Sequence, residues 1–192
     1  LLCGMVPFNF FAMAWGSSTT SIVDNTGLIK RVPFPREIVP IASVLSTTVH
    51  LATQILLTVV FTLAYGKGVN IYLLWLPVVW GLAVFFVCGL GLICSGLDVY
   101  LRDMRYIVES PLTVLYWLVP IFYDFSFIPA KYRDIYSLNP IAALVMAQRN
   151  IFLQARPPAE SLLLKLSLSS VGMLVVGLIV FQKLKRRFYN YL

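Results

Sequence analysis

Formal charge is scarce in this chain of 192 residues, of which only 12% are charged and 59% are hydrophobic. Soluble domains carry about 25% charged residues, so the composition excludes an ordinary water-soluble protein. It also excludes disorder, because disordered chains are poor in hydrophobic residues and rich in charge. The class that remains is a membrane protein that crosses the bilayer several times, since each crossing needs only about 20 apolar residues.

Side chains that could perform acid–base chemistry within the membrane are almost missing. The apolar runs 38–65 and 69–97 contain no Asp, Glu, Lys or Arg, and His50 is the only histidine. His50 and Gln54 lie one helical turn apart on the same face. No carboxylate accompanies them, so we interpret the pair as an interhelical hydrogen bond rather than a proton relay.

Motifs for metals and nucleotides are missing as well. The three cysteines have no metal-ligand spacing, and no phosphate-binding G-x-x-x-x-G-K-[ST] motif occurs. We therefore expect no metal site and no cofactor in this chain. If ATP drives the protein, another chain must bind it. Gly91 and Ser95 instead have the small-xxx-small spacing that predicts close helix packing.

Apolar runs predict one all-α membrane domain over residues 1–192. Run 110–123 is too short for a simple span, so it is either completed by Phe125, Phe127 and Ile128 or forms a re-entrant element. Residues 124–160, which contain the helix-breaking pair Asn139-Pro140, are interpreted as two short helices that dip into one membrane face. The predicted spans are about 1–18, 38–65, 69–97, 110–128 and 161–182.

Lys and Arg are distributed unequally between the two sides. The segments 24–37, 98–109 and 183–192 carry nine basic residues, whereas 66–68 and 129–160 carry five. By the positive-inside rule the first group is cytoplasmic. The carboxyl terminus is then cytoplasmic, and its basic run from Lys183 to Arg187 is interpreted as an anchor on the inner leaflet.

The first basic segment, 24–37, mixes apolar residues with charges. Pro33 and Pro35 prevent a helix and force an extended connection to the next span. Leu28 and Phe34 support two interpretations, which the residues alone leave open. The segment is either an interfacial loop or a short helix that presents an apolar knob to a soluble partner, with basic residues around it.

Two further segments are candidates for contacts. Arg102 and Asp103 follow the span that ends at Leu97, where they could lock helix ends together or contact a partner. The outer region is rich in aromatic side chains, which form either a belt at the headgroup level or a stacking surface for sugar rings. These aromatics are Tyr116, Trp117, Phe122, Tyr123, Phe125, Phe127, Tyr132 and Tyr136.

The order of these segments resembles a known family. Residues 25–40 read N-T-G-L-I-K-R-V-P-F-P-R-E-I-V-P, which is similar to the cytoplasmic loop N-x-x-L-I-K-[KR]-x-x-F-P-R-E-x-[LV]-P of ABC-2-type permeases that export polysaccharides. These permeases handle lipopolysaccharide O-antigen, teichoic acid and capsular polysaccharide. The resemblance continues through Trp15, Arg102-Asp103-Met104, the run from Pro120 to Tyr123, and Leu138-Asn139-Pro140.

The resemblance implies the ABC-2 (type V exporter) transmembrane fold with short or re-entrant outer helices. It implies a multi-pass protein of the bacterial cytoplasmic (inner) membrane. Such permeases have six spans and an amphipathic amino-terminal helix. Because this chain begins with Leu1 inside an apolar run, we expect that the helix and the first span are missing from it.

The resemblance also implies partners. They are a second copy of the permease, two copies of a separate ABC ATPase that binds ATP and Mg²⁺, a lipid-linked polysaccharide and membrane lipids, with no nucleic acid. Residues 24–32 would form a coupling helix that docks on the ATPase, and the outer aromatics would face sugar. The ATPase-coupling candidates are Asn25, Leu28, Ile29, Lys30, Arg31, Phe34, Arg36, Arg102 and Asp103. The translocation-path candidates are Tyr116, Trp117, Phe122, Tyr123, Phe125 and Asn139.

Two other functions compete with a polysaccharide exporter. The first is an ABC-2 permease for another cargo, such as a lipid or a drug, with the same fold. The second is a membrane-embedded transferase, which needs clustered acids at a membrane face. The acids Asp98, Asp103 and Glu109 form the one candidate cluster, and each has an Arg nearby.

Overall fold

The described part of the protein is helical. A computed structural model describes residues 2–31, 34–65, 70–121, 139–185 and 188, and these residues contain no strand. An all-α fold is thus confirmed. The helices are α1 (Leu2–Asp24), α2 (Thr26–Arg31), α3 (Ile38–Ala64), a short 3-10 helix (Ile71–Trp75), α4 (Leu76–Asp98), α5 (Met104–Leu118), α6 (Pro140–Phe152) and α7 (Glu160–Leu184).

Three helical stretches are long and apolar enough to cross a membrane. Within the described residues they are Ile38–Ala64, Ile71–Asp98 and Glu160–Leu184. Each coincides within a few residues with a run that is almost free of charge. Apolar length therefore predicts where these helices lie.

Two helices differ from the predicted spans. The first continues beyond residue 18 to Asp24. The predicted span 110–128 overlaps α5, which begins earlier and ends at Leu118, and residues 122–128 lie outside the described part of the chain. Val119 is extended (φ −74°, ψ 139°), as expected for a residue that precedes proline. One short helix of the predicted pair, α6, lies in the described part of 124–160, and residues 122–138 lie outside it.

Close backbone contact holds the bundle together. Helix α4 packs most extensively against α7, and α1 packs against α3 and α4. A side-chain carbon at Gly89 would collide with the Met173 carbonyl, and one at Gly177 would collide with the Gly89 carbonyl. Gly91 faces Ser18 of α1 in the same way. The predicted close packing at the small residues of α4 is confirmed.

The helix ends gather at two opposite ends of the bundle. One end, here called the basic end, holds the start of α3 and the ends of α1, α4 and α7. Buried apolar side chains join these helices at the basic end, and we call them the inner cluster. They are Ile22, Ile29, Leu92, Val99, Phe181 and Phe188. At the opposite end, Gly4 contacts Ile121, and Asn70 Nδ2 donates to the carbonyl oxygen of Ile151 at 3.0 Å.

Candidate functional site

Asn25 is the joint between α1 and α2. Its side-chain amide donates to the carbonyl oxygen of Ser21 at 2.8 Å, which satisfies one of the free carbonyl groups at the end of α1. Its own carbonyl accepts the backbone N–H groups of Leu28 at 3.0 Å and Ile29 at 3.1 Å. Asn25 therefore ends one helix and starts the next through its own side-chain and backbone hydrogen bonds.

Helix α2 has one attached side and one free side. Ile29 is its buried residue, at 8% exposure, and belongs to the inner cluster. Leu28 is 53% exposed, and Lys30 and Arg31 are also exposed. Of the two interpretations left open by the sequence, the structure adopts the short helix, which presents an apolar side chain with two cations beside it.

The residues after α2 hold this helix against the bundle. Phe34 is half-buried and packs against the inner cluster. The guanidinium carbon of Arg36 lies 5.8 Å from the centroid of the Phe188 ring, which is within cation–π range. Phe34 and Arg36 therefore face inward, and the outward side of the segment consists of Leu28, Lys30 and Arg31.

The end of α7 reaches the same place through contacts that the sequence reasoning missed. Lys185 Nζ donates to Glu37 Oε1 in an ion pair, and Tyr100 Oη donates to the Leu184 carbonyl oxygen at 2.8 Å. Burial opposes ionisation of Glu37, but the hydrogen bond from Lys185 and the charges of Lys185 and Arg36 hold its pKa below the ordinary value of 4.5. Sequence reasoning could have suspected this ion pair from Glu37, because it is an acid placed directly between Arg36 and the apolar run that begins at Ile38.

Arg102 and Asp103 lie at the basic end without locking it. Both are exposed just before α5. Among the described residues the ion pairs are Lys185–Glu37 and Arg105–Glu109, so the predicted lock between Arg102 and Asp103 is not found there. Their exposed side chains leave the other interpretation, a contact with a partner, as a prediction.

A groove of about 530 Å³ opens between α1, α2 and the start of α3. Thr20, Ser43 and Ser46 bring hydroxyl groups to it, and Leu28 stands at its edge. Thr20 Oγ1 donates to Asp24 Oδ2 at 2.7 Å. The side of α2 that carries Leu28 is therefore continuous with a hydroxyl-rich surface of the bundle.

Helix α5 exposes most of its surface, which has a polar side and an apolar side with exposed Ile107 and Val114. It buries Met104 and Val108 alone. On the polar side, exposed Arg105 and Glu109 form an ion pair at 2.9 Å, and Thr113 is exposed on the next turn. Ion pairs and hydroxyl groups are poorly suited to lipid tails, so this polar side, here called the α5 face, suits contact with water or with another polar surface.

The aromatic candidates that the structure describes lie at the far end of α5. Trp117 is 71% exposed. Tyr116 is half-buried, and its ring packs against Phe8 and Trp117 at centroid distances of 5.2 and 5.8 Å. Both therefore continue the α5 face. The candidates Phe122, Tyr123 and Phe125 lie outside the described residues.

Asn139 has a structural task. Its Oδ1 accepts the backbone N–H of Ile141 at 3.0 Å, and Pro140 occupies the first position of α6. This is the usual beginning of a helix, and it explains the Asn-Pro pair that was interpreted as a helix breaker. A contact between Asn139 and a translocated molecule stays a prediction.

The expected His50–Gln54 contact is not found in the described part of the chain. His50 is exposed on α3, and Gln54 Oε1 is buried without a partner there. Both residues lie on one face of α3, but that face is turned away from the described helices at His50. The spacing of His50 and Gln54 correctly predicted that they share one face of α3. It could not predict which part of the protein contacts that face.

The three predicted acids, Asp98, Asp103 and Glu109, have different surroundings. Asp98 is 3% exposed, Asp103 is exposed, and Glu109 is engaged by Arg105. Among the described residues, no group of three or more His, Cys, Asp or Glu side chains could hold a metal ion. The cluster that a membrane-embedded transferase would need is not assembled by these three acids.

Known proteins resemble this chain over most of its length. Residues 1–153, from α1 through α6, match the family described as ABC-2 type transporter. The O-antigen export system permease protein RfbA of Klebsiella pneumoniae is 30% identical over 189 residues, which cover 98% of this chain and 73% of that protein. RfbA of Myxococcus xanthus is 26% identical over 190 residues, with the same coverage of both chains.

A polysialic acid transport protein also matches. This protein, KpsM of Escherichia coli, is 28% identical over 152 residues, which cover 78% of this chain and 58% of KpsM. The similarity therefore extends to proteins that are named for two different polysaccharides.

Proposed function

Because the chain belongs to the ABC-2 type transporter family, we propose that it is the membrane subunit of an ATP-driven exporter. Its cargo is a lipid-linked polysaccharide, moved across the cytoplasmic membrane of a bacterium. The relatives named for O-antigen export and polysialic acid transport support this class of cargo. The apolar helices α3, α4 and α7 place the protein in a membrane.

The observation that carries the proposal is the division of α2 into two sides. Ile29 attaches the helix to the bundle, and Leu28 and Arg31 face away from it. An exposed apolar side chain beside cations is what a soluble partner with an apolar pocket and an acidic rim would recognise. We assign that role to an ABC ATPase, which would hold the ATP and Mg²⁺. Arg102 and Asp103 are exposed at the same end and would contribute to this contact.

Transport also needs a path that tolerates sugar hydroxyl groups. The α5 face offers the Arg105–Glu109 pair, Thr113 and the ring of Trp117 on one exposed surface. A single copy leaves this surface uncovered, so we propose that it faces a passage shared with a second copy. Tyr116 and Trp117 would stack loosely on sugar rings and allow the polymer to slide. Phe122, Tyr123, Phe125 and Asn139 would extend the path outward.

Orientation follows from charge. The basic end carries Lys30, Arg31 and Arg36 together with Arg102 and Lys185, and basic residues favour the cytoplasmic side. We therefore place α2 and the end of α7 in the cytoplasm, where an ATPase can reach them. Two ATPase copies and two permease copies would satisfy the twofold symmetry of such an assembly.

Two alternatives make different predictions. A permease for another cargo would keep the ATPase contact at α2 but would not restore polysaccharide export. A transferase would act without any ATPase. The different surroundings of Asp98, Asp103 and Glu109 described above argue against the transferase.

Complementation tests the proposal. In a strain that lacks its own polysaccharide exporter permease, we expect Leu28→Asp and Arg31→Glu to abolish export and ATPase co-purification while membrane insertion is unchanged. Leu153→Asp is the matched control, because Leu153 is 45% exposed at the opposite end of the bundle. Normal export by the α2 variants would contradict the proposal.

A further inference from the structure

The side chain of Phe188 joins three parts of the chain at the basic end. It lies beyond α7 and is fully buried. Its ring packs against Phe181 of α7 and Tyr100 after α4 at centroid distances of 5.6 and 6.0 Å. The Arg36 guanidinium, in the connection before α3, covers it at 5.8 Å. Phe188 therefore has far more contacts than a membrane anchor requires.

An ion pair beside Phe188 makes the same connection. Glu37 lies just before the first residue of α3, and Lys185 lies just after the last residue of α7. Each charge is favourable at its helix end, since an anion stabilises a helix N-terminus and a cation stabilises a C-terminus. The side chain of Glu37 is 15% exposed and that of Lys185 is 38% exposed. The pair is thus partly shielded from water, which strengthens it.

The end of α7 is connected in turn to α2 and to α4. Ile29 of α2 and Phe188 belong to the same buried inner cluster. On α4, Gly89 and Gly177 of α7 bring the two backbones into contact, so these helices cannot slide apart without losing their packing. A displacement of α2 would therefore act on the inner cluster, which contains Phe188 together with Leu92 of α4 and Phe181 of α7.

We propose that Glu37, Lys185 and Phe188 form a clamp that transmits the movement of α2 to the paired helices α4 and α7. The three would be positioning residues, because they act on helices α3, α4 and α7 rather than on cargo or nucleotide. The clamp stays closed during transport, and it makes the basic end move as one body. This inference rests on the proposed function, in which an ATPase moves α2.

Charge reversal tests the clamp. The complex of the permease with its ATPase is reconstituted in vesicles, and three quantities are measured: ATPase co-purification, ATP hydrolysis, and polysaccharide moved per ATP hydrolysed. For Glu37→Lys or Lys185→Glu alone, we expect transport per ATP to fall roughly tenfold, a usual size for coupling between linked sites. Co-purification should stay unchanged. The double reversal should recover part of the loss, because the ion pair is restored while each charge then lies at the less favourable helix end.

The matched control is Lys183→Glu. Lys183 lies on the same turn of α7 and is exposed, so its reversal changes the charge without touching Glu37. We expect coupling close to that of the unmodified complex. Equal losses in Lys183→Glu and Lys185→Glu, or no rescue in the double reversal, would overturn the clamp, because general charge effects would then explain the result.

A covalent link between positions 37 and 185 tests the proposal if a single charge-reversal variant fails to insert into the membrane. Glu37→Cys with Lys185→Cys, joined by a flexible bis-maleimide cross-linker, replaces the ion pair by a covalent link, and Phe188→Leu is compared with Phe188→Ala. We expect full coupling in the cross-linked protein, reduced coupling without the cross-linker, and retention by Leu but not by Ala. An inactive cross-linked form would overturn the proposal, because the contact would then have to open.

Failure of the clamp and failure of the proposed function give different results. If the unmodified complex transports polysaccharide and both single reversals do so equally well, the clamp alone is wrong. If the unmodified permease binds no ATPase and moves no polysaccharide, the proposed function is wrong, and the role of the clamp falls with it.

Discussion

Leu28 and Ile29 are neighbours in the chain that face opposite ways. Leu28 is 53% exposed, whereas Ile29 is 8% exposed and packed in the inner cluster. A six-residue helix is too short to be stable by itself in water. Its position therefore depends on Ile29, which leaves Leu28 free for a partner.

Substitutions at these two positions should separate attachment from docking. We expect Leu28→Ala to weaken ATPase co-purification and to leave thermal stability in detergent unchanged. Ile29→Ala should destabilise the protein by about 2–5 kcal/mol, because it leaves a cavity in the inner cluster. Co-purification and a thermal melt of both variants measure the difference. Equal effects of both changes on stability would contradict the assignment of the two faces.

Glycine substitutions should distinguish the α4–α7 crossing from open helix surface. A methyl group at Gly89 or Gly177 would collide with backbone, and overpacking costs about 1–3 kcal/mol. Gly81→Ala and Gly172→Ala are matched controls on the same two helices, since nothing lies within 4 Å of either added carbon. They should be neutral or stabilising by up to about 1 kcal/mol, the helix preference for Ala over Gly. Thermal melts in detergent test this ranking.

The sequence indicated some of this packing and not the rest. Uncharged runs identified α3, α4 and α7 because a membrane span needs apolar length and little else. The Gly91–Ser95 spacing indicated a close approach, but the partner of Gly89 lies 88 residues further along the chain, at Gly177. No local pattern contains such a pairing. The end of α5 before Val119 could have been predicted from the sequence, because Val119 precedes Pro120.

The candidate site, like the packing, could be predicted only in part from the sequence. The mixed apolar and basic composition of α2 suggested a helix with a free apolar side chain. Composition could not decide that Leu28 rather than Ile29 would be free, because both are apolar and adjacent. The anchor formed by the basic tail stays a prediction, and the structure adds a contact between Lys185 and Glu37 that the sequence did not indicate. A contact between residues so distant in sequence depends on the fold.

The α5 face should be accessible to water. We expect a cysteine in place of Thr113 to react with a membrane-impermeant thiol reagent that is applied to both sides of the membrane. Leu168→Cys is the control, because Leu168 is 79% exposed on the apolar helix α7 and should face lipid. The native cysteines are buried, so they contribute little background. Equal labelling at both positions would contradict a polar passage along α5.

The Glu37–Lys185 pair should survive mild acid. The pKa of Glu37 is held below 4.5 in the folded protein, where Lys185 and Arg36 face it as cations. Its stabilising effect is therefore fully present above the unfolded-state pKa and is lost as the pH falls through the lower folded-state pKa. The difference in melting temperature between the unmodified protein and Glu37→Gln should stay constant from about pH 7 to 6 and shrink only in stronger acid. A difference that is already lost at pH 6 would contradict this contact.

The most direct test is transport by purified components. Vesicles that contain this permease with its ATPase should move lipid-linked polysaccharide when ATP is supplied. Vesicles with the permease alone, or with Leu28→Asp and the ATPase, should move none. Transport by the permease alone would contradict the central claim, which is that the chain converts a movement received at α2 into passage of a polymer.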